Sequence, residues 1–291
     1  MIEVAPSLQR NWDARAAGNF SFGGAGAGAL ILAALEHALG GPYRLPAAAG
    51  LALIATGLFC VWLEIGRPLR AANVLRQPQL SWMSRESLAA PLLFATGIAA
   101  LWFGGGALAW VTAFLAAVFL YCQARMLRAA KGIPAWRNPL IVPLIASSGL
   151  CEGLGLWLAL AAIAGVPAPR WMAGLLAALA LARALAWRAY RAKLEGDGAP
   201  AASFAALRSI KAPMSLIGAW ATILLSLIGF AAPLTWATWI AALAGLCALG
   251  TGWLLKFTLI TRAAYNQGFA LARLPVRGAG SPGPAFKPGW H

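Results

Sequence analysis

Acidic residues are scarce in this chain. Only 8 Asp and Glu stand against 23 Lys and Arg, and there are just 2 His. Charged residues make up 11% of the sequence, less than half of the quarter usual in soluble domains, while hydrophobic residues reach 61%. That balance excludes a soluble core and leaves an integral membrane protein. Nor does the net charge of +15 point to nucleic acid. The basic residues fall between apolar runs of lipid-spanning length, where cytoplasmic loops carry them.

The 4 cysteines, Cys60, Cys122, Cys151 and Cys247, stand singly, with no Cys-x-x-Cys. Iron–sulfur clusters take groups of thiolates, and membrane haem takes two axial ligands inside the bundle. One histidine, His37, lies in an apolar run and His291 ends the chain, so neither a cluster nor a haem is expected in this chain, and no metal. No disulfide framework is expected either. The glycine run 23–28 follows no strand and lacks the GxGxxG spacing, so it is not a nucleotide loop. Gly24 and Gly28 instead have the small-xxx-small spacing that lets membrane helices approach closely. Residues 1–16 are polar and the first apolar run is long enough to stay as a span, so no cleavable signal peptide is expected.

A hydrocarbon core about 30 Å thick needs about 20 apolar residues as helix. Eight runs qualify: 17–39, 46–65, 87–103, 106–126, 139–165, 170–190, 212–232 and 235–258. The fold expected is all-α and polytopic, with a transmembrane domain over 1–262 and a Gly/Pro-rich basic tail over 263–291. Tight Gly- or Pro-containing joins at 104–106, 166–169 and 233–234 predict antiparallel hairpins. Eight spans put both termini on one side. All but two of the 23 Lys and Arg sort to that side, the exceptions being Arg44 and Arg170. The positive-inside rule then predicts cytoplasmic termini in a multi-pass membrane protein. Many of the 14 tryptophans sit at span ends, as an interfacial aromatic belt requires.

The most polar segment joins the second and third runs. It holds Arg67, Arg70, Asn73, Arg76, Ser81, Trp82, Ser84 and Arg85, with Glu64 closing one helix and Glu86 opening the next. Ionisable groups at a membrane boundary are functional candidates. The plainer reading is a basic loop whose acids only neutralise nearby arginines, with Glu86 stabilising a helix start that Ser84 could cap. Both readings stay open on the residues alone.

The motifs Glu-Ile-Gly-Arg-Pro-Leu-Arg (64–70), Asn73, Ser-Trp-Met-Ser-Arg-Glu (81–86), Arg125-Met-Leu and Ile-Pro-Ala-Trp-Arg-Asn (133–138) resemble the membrane anchors of the dimethyl sulfoxide and polysulfide reductase family. Within it, the segment is most similar to the membrane subunit of phenylacetyl-CoA:acceptor oxidoreductases. The resemblance implies a quinone-reactive anchor in a bacterial or archaeal cytoplasmic membrane. It implies ubiquinone or menaquinone as cofactor, an iron–sulfur electron-transfer partner, and a molybdenum or tungsten pterin subunit that performs the substrate chemistry. Glu64 and Glu86 would then exchange protons; the family carries a histidine where Glu64 stands. Asn19, Arg67, Trp82, Arg85 and Tyr121 would surround the quinone. Arg70, Arg76, Arg125 and Trp136 would dock the partner.

A second candidate lies deeper. Glu152 and Arg183 are at similar distances from the join near Pro167, so a hairpin would bring them to one depth. Each is costly alone in lipid, which predicts an intramembrane ion pair, structural or part of a proton relay. Such a pair would also suit a secondary transporter, the competing reading.

Overall fold

The computed structural model describes residues 5–65 and 73–268. Ten helices form the described chain: α1 Ala14–Ala38, α2 Arg44–Glu64, α3 Trp82–Phe103, α4 Ala107–Ala129, α5 Pro134–Arg137, α6 Ile141–Ile163, α7 Arg170–Gly196, α8 Ala201–Ser209, α9 Lys211–Ala231 and α10 Leu234–Arg262. Eight of them, all but α5 and α8, are long and apolar enough to cross a membrane. They coincide with the eight expected runs. No strand occurs among the described residues. The three short joins make hairpins, and α3 with α4, α6 with α7, and α9 with α10 pack as neighbours. Gly104, Gly105 and Gly106 turn the first of these with φ of 88°, 95° and 62°, values that a side chain would oppose.

α1 and α6 form the buried centre. Lipid-facing helices gain no hydrophobic energy by meeting, so close backbone packing must hold the bundle. Glycine supplies it. A methyl group on Gly26 would collide with the Gly50 carbonyl of α2, and one on Gly28 with the Gly149 carbonyl of α6. Gly155 and Gly245 join α6 to α10 the same way. Gly28 therefore acts as the spacing predicted. Gly24 also brings its carbonyl against Gly149 of α6, and its missing side chain makes room for the side chains of Lys256 and Gln123.

The segments flanking the bundle meet at one end of it. Leu8 and Tyr265 form an antiparallel bridge, Gln9 N donates to Ala264 O at 3.0 Å, and Asn266 N donates to Ser7 O at 2.9 Å. This end, called the terminal end below, also holds α5 and α8. Two wide π-helical stretches, Leu216–Ala221 in α9 and Thr258–Arg262 in α10, offer backbone carbonyls outside the normal ladder. Gly218 O accepts from Arg183, Leu259 O from Trp136 and Ile260 O from Gln9.

The same geometry gives Trp136 a place inside the bundle. Its side chain is 3% exposed, its ring lies tilted against Trp12 at 5.0 Å, and it donates Nε1–H to Leu259 O at 2.9 Å. It pins α5 into the bundle. Nearby, the Tyr190 hydroxyl donates to Ala135 O at 2.7 Å and Asn138 Nδ2 to Tyr190 O at 3.3 Å.

Candidate functional site

α3 begins five residues earlier than its apolar run. Ser81 caps it, its hydroxyl accepting from Ser84 N at 3.3 Å, so Ser84 is not the cap. Glu86 consequently falls in the second turn and points inward. It is 4% exposed and lies beside the amides of Gln123 and Asn19.

The approach to Glu86 is aromatic and cationic. Arg85 lies 4.0 Å and Arg125 4.5 Å from the Trp82 ring centroid. Tyr121 meets Trp82 edge-on at 5.6 Å, and Arg125 Nη1 donates to the Tyr121 hydroxyl at 2.8 Å. Spacings of three and four residues put Trp82 and Arg85 on one face of α3 and Tyr121 and Arg125 on one face of α4. Arg85 also donates to Pro78 O at 2.7 Å and Gln79 O at 3.0 Å, tying the preceding turn to the helix.

Behind this layer, three buried acceptor oxygens have no partner among the described residues: Glu86 Oε1, Asn19 Oδ1 and Gln123 Oε1. Gln123 Nε2 is already committed to Asn19 O at 3.1 Å. Unpaired buried polar atoms cost about 1–3 kcal/mol each. A proton on Glu86 would supply one donor. A hydroxyl-bearing ligand or water would supply others.

Of the site residues expected from sequence, Asn19, Trp82, Arg85, Glu86, Tyr121 and Arg125 come together at the terminal end. Glu64 does not join them. It is half-buried at the end of α2, where the charges acting on it are Asp13 and Arg15. Asp13 caps α1, and its hydrogen bonds to Arg15 hold its carboxyl below the usual range. Arg76 is exposed in the turn at 73–76. Arg67 and Arg70 lie outside the described residues.

The expected Glu152–Arg183 pair is not made. Glu152 Oε2 instead meets Lys256 Nζ at 2.7 Å, both side chains fully buried. Arg183 turns to α9 and α10, where it donates to Ala248 O at 2.7 Å, Gly218 O at 2.7 Å and Thr251 Oγ1 at 3.1 Å. The π-helical stretch of α9 gives this guanidinium a carbonyl to bind, so it needs no carboxylate. Lys256 is fully buried inside α10, which runs to Arg262, although the sorting of basic residues counted it with the terminal side. Glycine again makes the room, Gly252 beside the carboxyl of Glu152 and Gly24 beside the ammonium of Lys256.

Gln123 and Lys256 both abut Gly24, so the two polar regions adjoin. From Glu86 the buried groups run through Asn19 and Gln123 to Lys256 and Glu152. Sequence reasoning missed Gln123, a lone amide in an apolar run with no pattern to mark it. It also missed Lys256 as a partner, although the uninterrupted run Gly-Trp-Leu-Leu-Lys-Phe-Thr-Leu-Ile (252–260) is a usable signal.

No protein-family model matches this chain, and no curated protein matches it. Among the described residues, no three of His, Cys, Asp and Glu gather as metal ligands would. Cys60, Cys122, Cys151 and Cys247 are free thiols.

Proposed function

We propose that this chain is the membrane anchor and quinone-reactive subunit of a multi-subunit oxidoreductase. The observation that carries the reading is the buried, acceptor-rich cluster of Glu86, Asn19 and Gln123 beside the Trp82–Tyr121–Arg125 layer. The motif resemblance to reductase anchors supports it.

A quinone headgroup suits such residues: it has a flat ring and two oxygens that become donors when reduced. Bound, it supplies two-electron, two-proton redox chemistry. Trp82 offers a flat wall, and Arg85, Arg125 and the Tyr121 hydroxyl are donors for a ring oxygen. Glu86 holds or releases a proton at its carboxyl, as a positioned acid–base must. Asn19 and Gln123 orient that carboxyl and accept from a hydroxyl. On the same resemblance, Arg70 and Arg76 dock the iron–sulfur partner. The molybdenum or tungsten subunit sits beyond that partner. The excess of basic residues at the terminal end supports its being cytoplasmic.

The decisive experiment uses the intact complex. Glu86→Gln should slow quinone-dependent turnover at least tenfold while sparing activity with a soluble artificial acceptor. Equal loss in both assays would overturn the role of Glu86.

One observation favours a second reading. Glu152, Lys256 and Arg183 gather inside the bundle beside a π-helical break in α9, as coupling sites in transporters do beside interrupted helices. Solute uptake by the purified chain alone in liposomes, abolished by Glu152→Gln, would replace the anchor reading with this one.

A further inference from the structure

Four cations gather at the terminal end, away from the Glu86 region. Arg188 and Arg191 stand on the last turns of α7, Arg208 ends α8 and Lys211 opens α9. Among the described residues, none of the four makes a salt bridge. Among the described residues, Glu195 lines the cavities beside them, and Asp197 is held by Lys193 at 3.0 Å. Two cavities connect the group. Arg191, Glu195 and Arg208 line one; Arg188, Arg191, Glu195 and Lys211 line the other. Like charges so placed repel, and the repulsion falls when an anion enters.

The basic cavity does not end in water. A third cavity of about 200 Å³ shares Trp187, Arg188 and Ser215 with it and continues between α7 and α9 along Leu185 and Trp220. Leu185 and Trp220 are 57% and 63% exposed on spans that face lipid. Trp187 stands at the junction. Its side chain is 3% exposed, its ring lies 5.5 Å from the Arg191 guanidinium, and its Nε1–H has no acceptor. An indole N–H buried between a cationic rim and an apolar groove is a donor awaiting an oxygen at the headgroup level.

We propose that this surface binds one anionic phospholipid. The phosphodiester sits among Arg188, Arg191, Arg208 and Lys211, the Trp187 N–H donates to a headgroup oxygen, and one acyl chain lies along the α7–α9 groove. A free phosphate would leave the groove unused. An acidic protein surface could not follow the groove into the bilayer. The site is independent of any quinone chemistry.

The test uses the full chain in phosphatidylcholine nanodiscs with graded phosphatidylglycerol, bound lipid being counted by native mass spectrometry. The wild type should retain one phosphatidylglycerol in preference to phosphatidylcholine. Arg191→Gln with Arg208→Gln should weaken that retention about 30-fold, the factor that ~1 kcal/mol per cation gives for two cations. Arg188→Gln with Lys211→Gln should do the same, while Arg128→Gln, an exposed cation elsewhere, should leave it unchanged. Trp220→Ala should lower the preference for long over short acyl chains. Equal loss with Arg128→Gln would mean general surface charge and overturn the site. So would unchanged retention in both double variants, displacement of the lipid by inorganic phosphate, or retention of an acidic polypeptide in its place.

Discussion

The guanidinium of Arg125 lies 4.5 Å from the ring centroid of Trp82, joining α4 to α3 at the mouth of the Glu86 region. A cation held against an aromatic face contributes about 0.5–2 kcal/mol and fixes the ring's tilt. Trp82→Ala and Arg125→Gln should therefore each raise the apparent KM for quinone roughly tenfold with kcat changed less than twofold. Trp82→Phe should recover most of the loss. Steady-state kinetics of the intact complex with a quinone analogue check this, and a kcat effect as large as that of Glu86→Gln would count against a wall role.

The pairing of Glu152 with Lys256 predicts an asymmetry. Removing one partner leaves a buried charge alone, at a cost of about 3–5 kcal/mol. Lys256→Met should thus lower folded yield and thermal stability sharply, and Glu152→Gln somewhat less, because an amide still fits. The double replacement Glu152→Gln with Lys256→Met should regain most of the stability. Thermal unfolding in detergent reads all three. A double variant no better than the worse single would show that the pair is not what binds these helices.

The glycine contacts give a sharper contrast. At Gly28 an added methyl would strike the Gly149 backbone, which cannot swing aside, whereas at Gly132 it would meet nothing. Gly28→Ala should cost about 1–3 kcal/mol or more, as overpacking does, and Gly132→Ala should change stability by less than 0.5 kcal/mol. The two unfolding temperatures compare them directly.

Trp136→Phe keeps an aromatic ring of smaller volume and removes the donor to Leu259 O. That carbonyl is then unpaired, which costs about 1–3 kcal/mol. The stability loss should appear without any change in affinity for a partner protein. A variant as stable as wild type but poorly assembled would support the docking role.

A reporter fused after residue 291 should be active only in the cytoplasm. Activity only outside would invert every sidedness assignment made from the basic residues.

The eight spans were legible because lipid length and apolar composition leave few alternatives. The site was legible in part. The connection at 81–86 announced itself by polarity, but Glu86 looked like a helix start because the apolar run begins one residue after it. The real cap, Ser81, lies upstream and rotates Glu86 into the core. Lys256 lies inside the expected run 235–258, but counting basic residues by side left its partner unsought. Arg183 was matched with Glu152 by depth alone. Depth says nothing about azimuth, and α7 presents Arg183 to α9 and α10.

Glu152 and Lys256 are 104 residues apart in the chain. At about 5–20 residues per second, the ribosome delivers the lysine roughly 5–20 s after the glutamate. For that interval the fifth span waits in the translocon or the bilayer with its acid unmatched. α10 is therefore the helix that closes the bundle's electrostatics, and a chain interrupted before it should be unable to settle and be cleared by membrane proteases.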